Sequence, residues 1–278
     1  MKVSYKLVMA MKIEQRLAQM GEALKHGFPR FMPRHMDEAA SISIACYGPS
    51  LADTWQDMQR PIISMSGATH FLAERGVIPD YHIDMDPRKH KTKHIQPPVK
   101  GVKYLMATVC PPETWDILKD EDVEIWHVNN GEGTDEWIKR NDPGSYMVTV
   151  GSTIGLAAIQ IGGMLGYRHF EIHGMDGSIR DGERHAGPHY GHKQGGITWQ
   201  AGHVVYQTSR IMANACSEVI NAFRIYPIFG VFHGTGLQQA LIDEEYGLDN
   251  VALADTPKAN MVRGYQAVFL GNAAQMAA

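Results

Sequence analysis

The residues best suited to chemistry lie in one stretch, 150–192, which opens on a glycine turn and ends in a loop rich in histidine. Histidine changes its protonation near neutral pH, so His189 or His185 is a candidate general base or acid. Together with His192 they also permit a zinc site, but a loop rich in glycine and proline, with no cysteine nearby, does not favour a preformed cage. Asp176 is placed to accept a hydrogen bond from a ribose or sugar hydroxyl, or simply to form a turn.

Two short motifs are candidates for holding a phosphate. The apolar run 41–46 leads into Gly48-Pro49-Ser50, and Gly151-Ser152-Thr153 opens an apolar segment that ends at Gly166. A strand, a glycine turn and a helix together aim backbone N–H groups at an anion. Serine at either position has a plain alternative role as a helix cap.

A third candidate is a strand that ends in two carboxylates, Asp84 and Asp86. Alternation along a strand places them on one face, where they would hold Mg²⁺ beside a nucleotide diphosphate. They are equally suited to cap a helix or to pair with Arg88 and Lys89. The basic run 88–94 is either a solvated surface or a patch that faces phosphate.

Strands alternate with helices over most of the chain, which predicts an α/β fold: a Rossmann-like, mostly parallel sheet with helices on both faces. We expect an N-terminal helical extension over 1–40, a nucleotide-binding transferase domain over 41–248, and a tail or arm over 249–278. Apolar spacing predicts the longest helix over 198–223 and a last strand over 224–229.

Composition narrows the classes of function. The 278 residues carry a net charge of −4, which does not indicate a nucleic-acid binder. The three cysteines lie far apart, and there is neither a signal peptide nor a membrane span, so we expect a cytoplasmic protein. The chain contains no GxGxxG, GxxxxGK[ST] or GxSxG motif, so the usual dinucleotide, P-loop and hydrolase mechanisms are unsupported.

Taken together, the motifs resemble a known family. GPSL follows the first strand, SGATHFLAERGVIPDYHIDMDP covers 66–87, GSTIGLAAIQIGGMLGYRHFEIHGMD covers 151–176, and the histidine loop comes next. This order resembles the family that unites Maf (motility accessory factor) glycosyltransferases with 6-hydroxymethylpterin diphosphokinases of the MptE type. It is also similar to small bacterial sialyltransferases that use CMP-sialic acid. The resemblance covers about 41–245, and a minimal member of phage or bacterial origin would fit.

The resemblance implies a transferase that uses a nucleotide-activated donor, with a glycosyltransferase acting on a hydroxyl acceptor as the first choice. The donor would be a nucleotide-sugar of the CMP-sugar type, and the acceptor a glycan, a protein or a small alcohol. One alternative is an ATP-dependent diphosphokinase, which needs Mg²⁺ far more. Another is a non-catalytic nucleotide-binding or assembly protein. The apolar N-terminal helix and the tail also suggest a homo-oligomer.

Residue by residue, the resemblance places the nucleotide at the two glycine turns, 48–50 and 151–153, and at Asp176 after the central strand. It implies a catalytic histidine at His189, within HYGH but one residue short of the family spacing, with His185 second. It places Asp84 and Asp86 at the acidic strand end. The implied nucleotide-binding residues are Gly48, Pro49, Ser50, Ser66, Gly67, Gly151, Ser152, Thr153 and Asp176. The chain departs from the sialyltransferases at Tyr47, where they carry Asn, and Ser66 or Gly67 replaces a second Asn.

Overall fold

The fold is described from a computed structural model, which covers residues 11–35, 37, 39–129, 133–188, 196–226, 228–246 and 260–263. Its centre is one mixed sheet of nine strands. The strands are β1 Ser41–Ala45, β2 Ile62–Met65, β3 Tyr81–Asp84, β4 Lys103–Ala107, β5 Asp122–Asn129, β6 Met147–Thr149, β7 His169–His173, β10 Phe229–His233 and β11 Asn260–Arg263. A separate hairpin consists of β8 Ile197–Ala201 and β9 Val204–Thr208.

The sheet order is β11-β10-β7-β1-β2-β3-β4-β5-β6. All neighbouring pairs are parallel except β10 with β11, which is antiparallel. The predicted Rossmann-like, mostly parallel sheet is therefore confirmed. Parallel strands covered on both faces are buried along their whole length, as in β2, where all four residues are buried and three are apolar.

Eight helices surround the sheet in the described part of the chain: α1 Ile13–Lys25, α2 Leu51–Thr54, α3 Ala68–Ala73, α4 Glu113–Leu118, α5 Thr134–Asn141, α6 Ile154–Met164, α7 Arg210–Ile225 and α8 Leu237–Tyr246. Two short 3₁₀ segments, Trp55–Asp57 and Lys89–Ile95, follow α2 and β3. The predicted apolar segment before Gly166 is helix α6, which contacts β1, β2 and β3 and buries most of its length in the core. No helix in the described part of the chain is long and apolar enough to cross a membrane.

The hairpin corrects the prediction of one long helix over 198–223. The turn at Gly202 has a φ of +55° and joins the two strands, so the helix begins only at Arg210. Ser209 caps it, since its side chain accepts a hydrogen bond from the backbone N–H of Met212 at 3.3 Å. β-branched and aromatic residues dominate 197–208, and these residues favour strands.

The predicted last strand over 224–229 is also displaced. Helix α7 continues to Ile225, and the strand β10 runs from Phe229 to His233. Apolar residues at the end of a buried helix and at the start of a buried strand form one run in the sequence, so periodicity alone does not separate them. Of the predicted tail, the structure describes residues 260–263, which form β11 at the sheet edge.

The N-terminal extension bonds directly to the sheet. Arg30 lies beside Ile125 of β5, with backbone hydrogen bonds on both sides of it. Its guanidinium donates to both carboxylate oxygens of Asp142, at 2.6 and 3.1 Å. His127 and Ser145 contact the same carboxylate at 2.8 and 2.6 Å. This network joins the extension, β5 and the end of α5.

We expect Asp142→Ala to lower the free energy of unfolding by about 2 kcal/mol, because hydrogen bonds to charged groups are lost from a largely buried network. Burial of Asp142 opposes its ionisation, but hydrogen bonds from Arg30, Ser145 and His127 outweigh burial and lower the pKa to about 2. The contribution is therefore full above the ordinary carboxyl pKa of 3.8 and is lost as pH falls towards 2. Urea unfolding at pH 7 and pH 3 measures it.

Asp122→Ala is the matched control, since the Asp122 side chain is 65% exposed and forms a weaker ion pair, with Nζ of Lys103 3.4 Å from its Oδ1. It should change stability by less than about 0.5 kcal/mol. Equal losses in the two variants would contradict the role assigned to the Asp142 network.

Candidate functional site

The crevice between β1 and β7 is the switch point of this sheet. From β1 the chain proceeds to β2 on one side, and β7 lies on the other side. In open parallel sheets, ligands bind outside the carboxyl ends of the strands at such a point. Here the turn after β1, Gly48-Pro49-Ser50, meets the turn after β7, Gly174 to Asp176.

Asp176 ties these two turns together. Its Oδ2 accepts a hydrogen bond from the backbone N–H of Ser50 at 3.0 Å, and the N–H of Gly48 donates to the carbonyl of Gly174 at 2.8 Å. Asp176 is 8% exposed. Burial raises the pKa of its carboxyl group, and the hydrogen bonds from Ser50 oppose that rise. A carboxylate of the chain itself therefore lies where the sequence predicts a donor phosphate.

The backbone donors of the predicted phosphate turn are consequently engaged within the protein. Pro49 has no N–H, and the N–H of Leu51 donates to the carbonyl of Gly48 at 3.1 Å. Ser50 does not cap α2 with its side chain, and α2 has only four residues. This turn serves first to join the strands.

Three glycines allow the turns to meet. A Cβ on Gly48 would lie 2.2 Å from Oδ2 of Asp176, and one on Gly236 would lie 2.5 Å from its Cα. A Cβ on Gly234 would lie 2.5 Å from Oγ of Ser50. Contacts this short are not tolerated, so the crevice has no room for side chains at these glycines.

The N-terminus of α6 shows the same arrangement. The backbone N–H of Ser152 donates to Oε2 of Glu218, a residue of α7, at 2.7 Å. A Cβ on Gly151 would lie 2.6 Å from the same oxygen. Thr153 is the cap residue, although its side chain makes no capping hydrogen bond. The second predicted anion position thus also holds a carboxylate of the chain, which complements the positive end of the helix.

Asp84 and Asp86 lie at and beyond the end of β3, but their oxygens are largely used within the protein. Oδ1 of Asp84 accepts from the backbone N–H groups of Met85 and Asp86 at 2.7 and 2.9 Å. Both oxygens of Asp86 accept from the guanidinium of Arg88, at 2.8 and 2.5 Å. Burial raises the pKa of Asp84 to about 6, with the charge of Asp86 acting in the same direction.

This donor set does not fit a divalent cation as it is arranged. Arg88 neutralises Asp86, and the positive charge of Lys91 acts on both carboxylates. Within the described residues, no group of three or more His, Cys, Asp or Glu side chains is placed to hold a metal ion. Two carboxylates that hold Mg²⁺ together with a donor phosphate would not form such a group, so the magnesium site at Asp84 and Asp86 stays a prediction.

A cleft of about 970 Å³ is formed by segments that follow β3, β7 and β9. It combines cations with carboxylates and with the predicted residue His185. The described residues that line it are Arg88, Lys91, Ile179, Asp181, Gly182, Glu183, Arg184, His185, Ala186, Gly187, Pro188, Gly196, Gln207, Ser209, Ile211 and Met212. His185 is the predicted site residue among them.

His185 is held against Tyr47. Their rings stack with centroids 5.5 Å apart and an angle of 20° between the planes. Burial lowers the pKa of His185 to about 4, and the positive charges of Lys91 and Arg184 add to this. The imidazole is therefore neutral at pH 7 and can accept a proton.

The remaining predicted residues are dispersed. Gly67 lies beneath Tyr47, because a Cβ there would come within 2.2 Å of the Tyr47 ring. Ser66 follows β2 with a φ of +49° and does not line the cleft. His189 and His192 lie outside the described residues, so the role predicted for His189 stays a prediction.

Sequence reasoning singled out the basic run 88–94, which supplies Arg88 and Lys91 to the cleft. It missed Glu218, because a lone acid in an amphipathic helix gives no signal of its partner 66 residues away. It noted Tyr47 only as a departure from a motif.

Comparison with known proteins agrees with this architecture. The family model described as 6-hydroxymethylpterin diphosphokinase MptE-like matches residues 15–182, which is more than half of the chain. The chain belongs to the MptE-like family. The predicted family resemblance is thereby confirmed, and the match includes the turns after β1 and β7 as well as His70 to Pro87.

A solved structure with a similar fold is that of the MAf glycosyltransferase from Magnetospirillum magneticum AMB-1, with a TM-score of 0.59 and 16% sequence identity. The alignment covers 79% of this MptE-like chain but 36% of that protein. At this identity the likeness concerns the fold. No curated protein matches the chain.

We expect Gly48→Ala to lower the free energy of unfolding by about 1–3 kcal/mol, because the added methyl group would overlap the Asp176 carboxylate and the Gly174 carbonyl. Chemical denaturation measures the change. Gly163→Ala in helix α6 is the control, since a Cβ there would be 3.8 Å from the nearest neighbouring atom, Nη1 of Arg168. It should leave stability unchanged or raise it by up to about 1 kcal/mol. A fully stable Gly48→Ala protein would show that the two turns are not tightly joined.

Proposed function

We propose that this chain is a transferase that binds a nucleotide-activated donor in the 970 Å³ cleft and transfers its sugar to a hydroxyl acceptor. One observation carries the proposal: the cleft lining joins Arg88 and Lys91 to a neutral histidine, His185. Cations suit the phosphate of a donor, and histidine is the side chain that most often moves a proton from a reacting hydroxyl. Asp181 and Glu183 supply acceptors for sugar hydroxyl groups.

The fold and family support a transferase. The structural neighbour is titled a glycosyltransferase, and the family is named after a diphosphokinase; both names denote enzymes that transfer groups from activated donors. The chain corresponds to about a third of the neighbour, so the activity assigned here concerns this α/β domain alone.

In the proposed reaction, His185 removes the proton from the acceptor hydroxyl. The acceptor oxygen then bonds to the anomeric carbon of the donor sugar, and the bond from that carbon to the donor phosphate breaks. The electron pair leaves with the nucleotide, whose charge Lys91 stabilises. Arg88 is paired with Asp86 and contributes guanidinium N–H groups rather than net charge. His189, which the family resemblance favours for the same role, is four residues further on and lies outside the described residues.

Two other functions are open to the same fold. An ATP-dependent diphosphokinase is suggested by the family description, but its phosphate chemistry relies on Mg²⁺, and Asp86 is occupied by Arg88. A non-catalytic nucleotide-binding or assembly protein would keep the cleft and would not need His185.

We place the protein in the cytoplasm, which agrees with three buried, free cysteines.

A thermal-shift panel of CMP, CDP, UDP, GDP, AMP and ATP, with and without Mg²⁺, separates these functions. A ligand at 100 times its dissociation constant stabilises the protein by about 2.7 kcal/mol. The proposal predicts a shift with a pyrimidine nucleotide that EDTA does not abolish. A shift with ATP that requires Mg²⁺ would favour the diphosphokinase instead.

His185→Gln should reduce the transfer rate by about 10²–10⁴-fold, because a general base contributes that much. The shift produced by the nucleotide should stay close to that of the wild type. His203→Gln is the matched control, since His203 is exposed in the turn between β8 and β9. Unchanged turnover by His185→Gln would transfer the role to His189. A wild-type protein that is stabilised by a nucleotide but transfers no sugar from it would favour the non-catalytic protein.

A further inference from the structure

Tyr47 contacts each residue of the short cleft segment 185–188. Its ring stacks on His185, and its hydroxyl donates to the carbonyl of Pro188 at 3.1 Å. Its carbonyl accepts from the N–H of Ala186 at 3.0 Å. A Cβ on Gly187 would lie 2.7 Å from the Tyr47 hydroxyl. One side chain and its own backbone therefore fix the wall of the cleft that carries His185.

Tyr47 is itself held by the core. It lies two residues after the end of β1 and is 7% exposed. Its ring lies over Gly67, where a Cβ would be 2.2 Å away, and edge-on to Phe71 with centroids 6.5 Å apart. His94 contacts it edge-on at 6.5 Å. A ring packed on several sides has few alternative positions, so it can serve as a rigid support.

The same packing limits where a donor can bind. The space above the turn after β2 is filled by the Tyr47 ring, which covers Gly67. A nucleotide base cannot occupy that space without displacing Tyr47. That space is therefore closed to a donor, whereas the cleft that Arg88 and Lys91 line, on the other side of segment 185–188, is open.

We propose that Tyr47 is a positioning residue, which holds segment 185–188 against the sheet and presents the His185 ring to the cleft. This inference rests on the proposed function for its catalytic meaning, but the positioning itself is a property of the protein without substrate. Burial of the imidazole depends in part on the stacked ring. Three other titratable groups interact electrostatically with His185. The charges of Lys91 and Arg184 lower its pKa, and its own charge lowers the pKa of His94.

The test compares Tyr47→Phe, which removes the hydroxyl alone, with Tyr47→Leu, which also removes the stacked ring. Tyr104→Phe is the matched control, because its buried hydroxyl accepts from the N–H of Val99 at 2.7 Å outside the cleft. Two readouts need no substrate: the rate of trypsin cleavage after Arg184, located by mass spectrometry, and the pKa of His185 by NMR titration.

We expect Tyr47→Leu to raise cleavage after Arg184 at least about tenfold and to move the pKa of His185 from about 4 towards its ordinary value of 6.5, because exposure favours the charged form. Tyr47→Phe should raise cleavage about fivefold, the effect of one hydrogen bond, and leave the pKa of His185 unchanged because stacking is retained. Tyr104→Phe should change neither. If Tyr47→Leu fails to fold, Tyr47→Phe still tests the segment.

Wild-type cleavage and an unchanged His185 pKa in both Tyr47 variants would overturn the inference and leave the proposed transferase untouched. The opposite failure is distinguishable. If the Tyr47 variants loosen the segment and shift the pKa, while His185→Gln transfers sugar at the wild-type rate, positioning stands and the catalytic role of His185 falls. Where both hold, the rate of transfer should fall with Tyr47→Leu and largely recover in Tyr47→Phe.

Discussion

The hydrogen bond from the Ser50 N–H to the Asp176 carboxylate joins the two halves of the sheet between β1 and β7, where the strand order reverses. Strand β1 belongs to the run that continues through β2 to β6, whereas β7 leads to β10. The carboxylate is buried, so its ionisation is costly unless the amide stays in place. Gly48, Gly234 and Gly236 are needed because their turns close around this one bond.

The protein uses its own acids where related folds offer positions for phosphate. Asp176 accepts from the turn after β1, and Glu218 accepts from the N-terminus of α6. Both satisfy N–H groups that would otherwise be buried without a partner, and both place negative charge where the backbone dipoles favour it. A donor phosphate held near these turns would have to approach two carboxylates. The cations Arg88 and Lys91 in the cleft present the more favourable position.

Much of the fold could be predicted because buried parallel strands are short apolar runs that end in turns. Strand β2 is such a run, and the longer apolar run before Gly166 forms helix α6. The hairpin at 197–208 could not, because Val204 and Val205 precede the apolar face of α7 and extend its apparent helical spacing. What separates the two elements is local: Gly202 takes a positive φ, and Ser209 caps the helix. Periodicity over a long window averages such signals away.

The candidate site was harder to predict, because its geometry depends on pairs of residues that motifs treat separately. Tyr47 in the first turn and Gly67 in the second are complementary: the ring fits because the glycine has no Cβ. Read alone, Tyr47 is a departure from a nucleotide turn, and Gly67 is an ordinary residue before a helix. Read together, they describe one space above the turn after β2, which the Tyr47 ring fills. The same ring supports His185, so Tyr47 both fills the space over Gly67 and holds the segment that carries His185. A change at residue 47 would therefore alter both the space over Gly67 and the position of the His185 ring.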